Sequence, residues 1–194
     1  MEKRKEYRSA VRSRRLIRQA FLELLRQKPY EKITVTDIVT AADINRSTFY
    51  AHYPDVRGLL EEIMGEAIAH STELANNLNI RVFLEDPMPF LRELTSYGSD
   101  NQELYALLSR SDFAQRQMEH LKRTLIDAAL HSPAFPESIR SSPEFRIHIS
   151  FFVGGTLTLY TMWLQGELDC TVEDITRHLS QLIQCTAPLY PGLQ

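Results

Sequence analysis

A short polar segment near residue 50 carries side chains whose chemistry suits a nucleic-acid groove. A guanidinium can donate a bidentate pair to guanine, small hydroxyls can bond to a base or a phosphate, and a tyrosine hydroxyl can reach a backbone oxygen. Any one of these residues alone is most simply an exposed polar side chain, but together they predict a DNA-contacting surface. The candidates are Arg46, Ser47, Thr48, Tyr50 and His52.

These side chains need a short helix to present them, and the local sequence predicts one. Asn45 is a favourable N-cap, and Pro54 disfavours helical geometry at the residue before it. The helix is therefore expected over residues 46–52. Phe49 and Tyr53 lie at helical spacing and are predicted to pack this recognition helix against the rest of the module.

A second short helix is predicted immediately upstream. Thr34 and Asp37 have the spacing of a capping box, which favours a helix over about residues 35–42 rather than a strand. Asp43 tolerates the left-handed backbone of a helix end better than most residues other than glycine. Thr36, near the start of this helix, is predicted to add a phosphate contact beside free backbone N–H groups.

Longer amphipathic helices flank the two short ones, at about 8–28 and 56–78, and together they predict a tri-helical helix-turn-helix module. The expected fold is all-α, with a DNA-binding domain at 8–55 and a helical ligand-binding and dimerisation bundle at 56–194. The further helices of that bundle are predicted at about 89–97, 101–109, 113–131, 144–166 and 172–186.

Charge is segregated along the chain. Residues 1–60 carry 13 Lys and Arg against 7 Asp and Glu, whereas residues 61–194 carry 9 against 18, and the whole chain has a net charge of −3. A basic module on an acidic body suits a nucleic-acid-binding protein, because neutralisation of phosphates drives affinity that does not depend on sequence. The alternative is an ordinary solvated basic helix face.

The predicted helix at 144–166 is apolar nearly all round, so it is expected to be buried from more than one side. Gly154 and Gly155 in its middle lower helix propensity, which indicates a compensating close helix contact. With the helix at 172–186, it can supply two helices to a symmetric four-helix interface of a homodimer. The alternative is that both helices simply complete a monomeric core.

Several classes of protein are not favoured by the sequence. Cys170 and Cys185 fit neither a CxxC pair nor zinc-ligand spacing. No leader-like segment and no uninterrupted apolar run of about 20 residues is evident, so we expect a cytoplasmic protein without a membrane partner. The six histidines match no metal or hydrolase motif, so we expect no enzymatic activity, no metal and no cofactor.

The segment KITVTDIVTAADINRSTFYAHYPDVRGLL resembles the signature of the TetR family of bacterial transcriptional regulators, over about residues 10–70. The resemblance implies a dimeric ligand-responsive regulator, most simply a repressor, that binds a palindromic operator in double-stranded DNA. An unknown small-molecule effector would alter the spacing of two recognition helices, which must match half-sites about 34 Å apart. The residues that fall where family members usually contact DNA are Thr36, Arg46, Thr48, Tyr50 and His52.

Two positions depart from the family pattern. The usual turn glycine is Asp43, and the usual phosphate-binding lysine at the start of the fourth helix is Val56. Arg57 is a candidate substitute for that lysine, although it points about 100° away around the helix.

The later segment FFVGGTLTLYTMWLQGELDCTVEDI resembles the tail of a TetR branch that includes a coactivator of dihydroxyacetone kinase genes. The alternative function is accordingly a coactivator that works through protein or ligand contacts rather than through tight operator binding.

Aromatic side chains in the C-terminal body are candidates to line an effector pocket between helices, the alternative being plain core packing. His148 on the apolar helix is more simply a core histidine than a ligand or base, although titration near neutrality gives it a possible sensing role. The effector itself is not predicted. The candidate pocket residues are Phe113, His148, Phe152, Tyr160 and Trp163.

Overall fold

The structure is a computed structural model that describes the backbone of residues 2–100 and 102–186, and the side chains of residues 10–96 and 102–186. Every regular element in these ranges is helical, which confirms the predicted all-α class. The chain divides into two compact units, residues 1–65 and residues 66–194, and each is described separately below.

The N-terminal unit contains three complete helices and the beginning of a fourth. Their bounds are α1 Glu2–Leu25, α2 Val35–Ala41, α3 Arg46–Tyr50 and α4 Val56–Asn76, with a single 3₁₀ turn at Tyr30–Lys32. Helix α1 packs against both α2 and α3, and α2 also packs against α3. The side chains that are completely buried in this unit are Ile17, Phe21, Ile38, Phe49, Leu59 and Leu60.

The predicted starts of the short helices are confirmed by their hydrogen bonds, whereas α3 ends at Tyr50, two residues before its predicted end. The Thr34 hydroxyl accepts a bond from the Asp37 backbone N–H at 3.2 Å, and the Asp37 carboxylate accepts one from the Thr34 N–H at 2.8 Å. Asn45 caps α3 by accepting a bond from the Thr48 N–H. Asp43 adopts the left-handed backbone expected of it, with φ at 50°. Side-chain capping thus sets the start of each short helix, and the left-handed Asp43 lies in the turn between them.

The C-terminal unit holds the rest of α4 and seven further helices among the described residues. They are α5 Ile80–Glu85, α6 Met88–Asp100, α7 Gln102–Leu108, α8 Asp112–His131, α9 Glu137–Arg140, α10 Pro143–Leu164 and α11 Val172–Thr186. Neither α5 nor α9 was predicted, because six and four residues are too few to show a helical period. Helix α10 packs against α8 and α11, and α11 packs against α6.

Helix α10 corrects one expectation from the sequence in part. Its buried residues are Phe145, Thr156 and Leu157, whereas Ile147 and Phe151 are 65% and 68% exposed. Among the described residues, the helix is therefore covered where it packs against α8 and α11, but one of its faces stays exposed. By length and composition alone it is also long and apolar enough to cross a membrane, a test that core helices of soluble proteins pass as well.

The two central glycines of α10 correct a second expectation. A Cβ atom built on Gly155 would meet nothing within 4 Å, and one built on Gly154 would meet only the Lys122 Cδ, at 4.0 Å. No helix among the described residues therefore makes the close approach that the glycine pair indicated.

Candidate DNA-binding interface

Helix α3 is anchored to the N-terminal unit by two aromatic side chains. Phe49 is completely buried and Tyr53 is 2% exposed, and their ring centroids lie 5.7 Å apart. Burial of an aromatic side chain of this size stabilises the fold by roughly 2–3 kcal/mol. The outer face of the helix is therefore held in a fixed orientation toward solvent.

The outer face of α3 carries most of the predicted DNA-contacting residues. Arg46, Ser47 and Tyr50 are exposed, and Tyr50 retains 54% of its accessible surface. Thr48 and His52 are half-buried. The five side chains thus differ in how readily a groove could reach them, with the first three the most accessible.

The Asn45 side chain organises the first turn of α3. Its Oδ1 atom accepts bonds from the Thr48 backbone N–H, the Ser47 hydroxyl and the Thr48 hydroxyl, each at 2.7 Å. Both hydroxyl protons are therefore directed toward Asn45 rather than outward. To donate to a phosphate oxygen, each hydroxyl would have to turn away from Asn45, while the backbone cap could remain.

Arg46 and Thr36 form a single patch although they belong to different helices. The Arg46 Nη2 atom donates to the Thr36 hydroxyl at 2.6 Å, and both side chains are exposed. A guanidinium has five N–H donors, so the other donors stay available for a guanine edge or a phosphate. The turn between α2 and α3 brings these two candidates together.

Arg57 is engaged along its own helix. Its Nε donates to the Glu61 carboxylate at 2.8 Å, and this hydrogen bond raises the pKa of the guanidinium further above its ordinary value. The Arg57 side chain is nevertheless 73% exposed, so the pair is screened by solvent and contributes little to stability. Val56, at the position of the family's lysine, is half-buried.

A polar cluster that was not predicted joins the end of α3 to α1 and α4. The Tyr53 hydroxyl donates to Glu62 Oε1 at 2.7 Å, and Arg18 Nη2 donates to the same oxygen at 2.9 Å. Arg14 lies 3.7 Å from the other Glu62 oxygen. Burial, followed by the bond to Glu62, raises the pKa of Tyr53 to about 12. Because these residues are far apart in sequence, no local spacing indicates the cluster.

The capping carboxylate of α2 has a second partner outside its helix. Lys28 Nζ lies 2.8 Å from Asp37 Oδ2. This contact, with the backbone and hydroxyl bonds from Thr34, lowers the pKa of Asp37 to about 2. The carboxylate is therefore ionised at neutral pH and ties the loop after α1 to the first turn of α2.

The C-terminal unit contains a largely apolar cavity of about 160 Å³. Only some of the five candidate pocket residues line it. His148 and Phe152 line the cavity, and Phe113, Tyr160 and Trp163 do not. Phe113 is buried in α8, while the Tyr160 hydroxyl lies 3.1 Å from the Thr176 hydroxyl. Trp163 packs against the apolar cluster that α6 and α11 share. Phe145, another aromatic side chain of α10, also lines the cavity.

Metal binding finds no support in the described residues, where no three His, Cys, Asp or Glu side chains are grouped to hold an ion. Cys170 and Cys185 are both free and exposed.

Comparison with known proteins places the N-terminal unit among bacterial regulators. Residues 17–63 match the family described as "Bacterial regulatory proteins, tetR family". The "Uncharacterized HTH-type transcriptional regulator YxbF" of Bacillus subtilis (strain 168) is 37% identical over 81 residues, or 41% of this chain. The match spans 20% of that relative, about a fifth of its length.

Two solved structures share the fold over most of the chain. "Dihydroxyacetone kinase operon activator DhaS" has a TM-score of 0.65 and 18% identity, covering 91% of this chain and 97% of that one. A TetR transcriptional regulator from Streptococcus agalactiae 2603V has a TM-score of 0.57 and 23% identity, covering 92% and 97%. At these identities the likeness establishes the architecture and no more.

Proposed function

We propose that this chain, which belongs to the TetR family of bacterial transcriptional regulators through its N-terminal domain, is a dimeric, ligand-responsive repressor that binds operator DNA with α3. The observation that carries the proposal is the exposure of Arg46 and Tyr50 on α3, with Thr36 of α2 hydrogen-bonded to Arg46, while two buried aromatic rings fix α3 from behind. A rigid helix with outward donors is what major-groove recognition requires.

Each candidate contact has a role in this proposal. Arg46 donates to a guanine edge, Thr36 and Ser47 bond to phosphates, and Tyr50 reaches a backbone oxygen. Thr48 contributes from the side of the helix and His52 from the turn that follows it, and both are half-buried. Arg57 adds a phosphate contact only when it leaves Glu61.

The charge distribution supports the same proposal. Residues 1–60 carry six more basic than acidic side chains, and residues 61–194 carry nine more acidic than basic ones. The basic excess attracts phosphate, whereas the acidic excess disfavours contact of the C-terminal half with the same polyanion. The DNA should therefore meet the N-terminal unit.

Dimerisation is supported by the exposed apolar face of α10 and α11. Ile147 and Phe151 lie four residues apart on α10, and Leu182 on α11 is 53% exposed. Gly155 continues the four-residue spacing and has open space where a side chain would be. A second copy of the chain, packed by its own α10 and α11, would cover this apolar stripe and could approach closely at Gly155.

The apolar cavity of the C-terminal unit supports a ligand response, since concave apolar sites of this kind are where small molecules bind. The effector would shift the dimer between states that match and mismatch the operator half-sites. A regulator of this type acts on chromosomal DNA, so the proposed location is the cytoplasm.

Footprinting on the duplex upstream of the chain's own gene tests the dimeric mode of DNA binding. We expect two protected patches whose centres lie about one helical turn, or 10–10.5 base pairs, apart. A single patch would contradict the dimeric proposal. Absence of any protection at low salt would contradict DNA binding altogether.

Val56 and the Arg57–Glu61 pair favour a second candidate function, a coactivator that works mainly through protein or ligand contacts. The start of α4 then lacks a free cation for phosphate. The two functions are separated by Arg46→Ala and Tyr50→Ala, measured as transcription of the regulated gene. Loss of regulation supports the repressor, and unchanged regulation with a retained partner supports the coactivator.

A further inference from the structure

We propose that the cavity of the C-terminal unit admits a compact, uncharged and mainly hydrocarbon molecule of about one six-membered ring, and that it excludes organic anions and sugars. This inference rests on the proposed ligand response and specifies the chemistry of the ligand. It is carried by the composition of the cavity wall, by the hydrogen bonds already made there and by the cavity volume.

The wall offers no fixed charge to a ligand. Among the described residues that line the cavity there is no Lys, Arg, Asp or Glu, and His148 is the one side chain there that can carry a charge. A carboxylate or phosphate placed in the cavity would lose its hydration without gaining an opposite charge, which is strongly unfavourable. The large apolar side chains on the wall include Phe83, Phe90, Leu125, Phe135, Phe145 and Phe152.

Few hydroxyls on the wall can serve a polar ligand. The Ser132 oxygen already accepts a bond from the Ala134 N–H, and the Thr186 hydroxyl donates to the Ile183 carbonyl. Thr156, midway along α10 and only 6% exposed, supplies one more hydroxyl at the cavity. We assign the Thr156 hydroxyl the role of hydrogen-bonding to a single polar group of the ligand. A sugar, which needs many partners at once, would leave most of its hydroxyls unpaired.

The volume indicates the size of the part of a ligand that the cavity can enclose. The cavity measures about 160 Å³. An engineered apolar cavity of about 150 Å³ in another protein binds benzene. One ring with a short side chain therefore matches the space available.

Three probes that share one skeleton test the inference by calorimetric titration of the full-length chain. They are ethylbenzene, 2-phenylethanol and phenylacetate, all titrated at pH 8. We expect the first two to bind saturably and phenylacetate to bind at least about tenfold more weakly, because its charge is unpaired in the cavity. Equal or tighter binding of phenylacetate, or no binding of any probe up to its solubility limit, overturns the inference.

Two variants of α8 with the same change locate the probes. Ala129 lines the cavity and Ala128 does not, so Ala129→Leu fills the space while Ala128→Leu serves as the matched control. We expect Ala129→Leu to weaken 2-phenylethanol binding about tenfold or more, as added bulk does in a pocket of fixed size. Equal affinity of the two variants overturns the assignment to this cavity.

A third variant keeps the test decisive if Ala129→Leu fails to fold, as judged by circular dichroism. Thr156→Val preserves the shape and removes the hydroxyl, so it should weaken 2-phenylethanol while leaving ethylbenzene binding unchanged. An equal effect on both probes overturns the role given to Thr156.

DNA binding by the same preparation distinguishes the two levels of the proposal. Normal DNA binding without probe binding would contradict the proposed ligand class but not the proposed regulatory function. Probe binding without DNA binding would contradict the regulatory function but not the ligand class.

Discussion

Asn45 Oδ1 joins the stability of α3 to the chemistry of its outer face. One oxygen accepts from a backbone N–H, which caps the helix, and from two hydroxyls that are candidates for phosphate contact. Asn45 therefore both caps α3 and orients two hydroxyls of the proposed DNA-contacting face. Substitutions that separate the two roles are therefore informative.

Asn45→Ala should destabilise the protein by about 1 kcal/mol, the usual cost of losing a side-chain N-cap. Asn45→Asp should retain the cap and the stability, but weaken DNA binding because it places a negative charge next to the phosphates. Urea unfolding and fluorescence anisotropy with labelled duplex measure the two effects. Asn45→Asp that binds DNA like the unmodified protein would show that this end of α3 faces away from the phosphates.

Asp37 should make stability depend on pH in an acidic window. Its pKa is lowered to about 2 in the folded state, below the ordinary unfolded value of about 3.9. Its contribution is therefore fully present above pH 4 or so and is lost as pH falls toward about 2. The stability difference between the unmodified protein and Asp37→Asn should shrink across that window in urea titrations. A constant difference would mean that the carboxylate charge is not what stabilises the start of α2.

The sequence predicts individual residues well where the interaction is local. The Thr34–Asp37 box and the Asn45 cap depend on a spacing of three residues, which fixes the geometry once a helix forms. The Glu62 cluster was missed because its members are brought together only by packing. Arg18 and Glu62, for example, are 44 positions apart.

At the scale of elements, the start of α4 shows how a turn constrains a helix. The Asp55 carboxylate accepts a bond from the Gly58 N–H at 2.7 Å, which caps α4. A Cβ atom at Gly58 would lie 2.8 Å from the Pro54 ring. The glycine is therefore required by the close approach of the proline that ends the recognition segment.

Gly58→Ala should destabilise the N-terminal unit, although glycine-to-alanine changes within helices ordinarily stabilise by about 1 kcal/mol. Gly65→Ala is the matched control in the same helix, since a Cβ there would meet nothing within 4 Å. We expect the two changes to shift the unfolding midpoint in opposite directions. A stabilising Gly58→Ala would mean that the turn relaxes at little cost.

Prediction of whole helices succeeded where an apolar period ran for several turns, as in α8 and α11. It failed for α5, although Asn79 provides a cap by accepting bonds from the N–H groups of Arg81 and Val82. Six residues give less than two turns, so the period could not be recognised. The exposure of one face of α10 could not be predicted either. An apolar sequence indicates that a helix is buried, but not whether the residues that bury it belong to the same chain.

At the scale of the molecule, a basic unit and an acidic unit have separate tasks in the proposal. The first contacts DNA, and the second holds the cavity and the apolar face of α10 and α11. Exposed Ile147 and Phe151 have no cover among the described residues of the chain itself. In the proposal, a second copy of the chain buries them.

Phe151→Glu should convert the proposed dimer to a monomer, because it would place two charges in an apolar interface related by two-fold symmetry. Val82→Glu on α5 is the matched control, as Val82 is also exposed at 59% but lies outside the α10 and α11 face. Light scattering coupled to size-exclusion chromatography gives both masses. A dimeric Phe151→Glu variant would locate the interface elsewhere.

DNA affinity measured across a salt series, with and without Arg46→Ala, tests the central claim most directly. The unmodified protein should bind its upstream duplex with an affinity that falls steeply as salt rises. Arg46→Ala should lose about 1–3 kcal/mol of binding free energy, or roughly 5- to 160-fold in affinity. Arg116→Ala, an exposed change on α8, should bind like the unmodified protein. Absence of binding at low salt, or an Arg46→Ala variant with unchanged affinity, would contradict DNA recognition by α3.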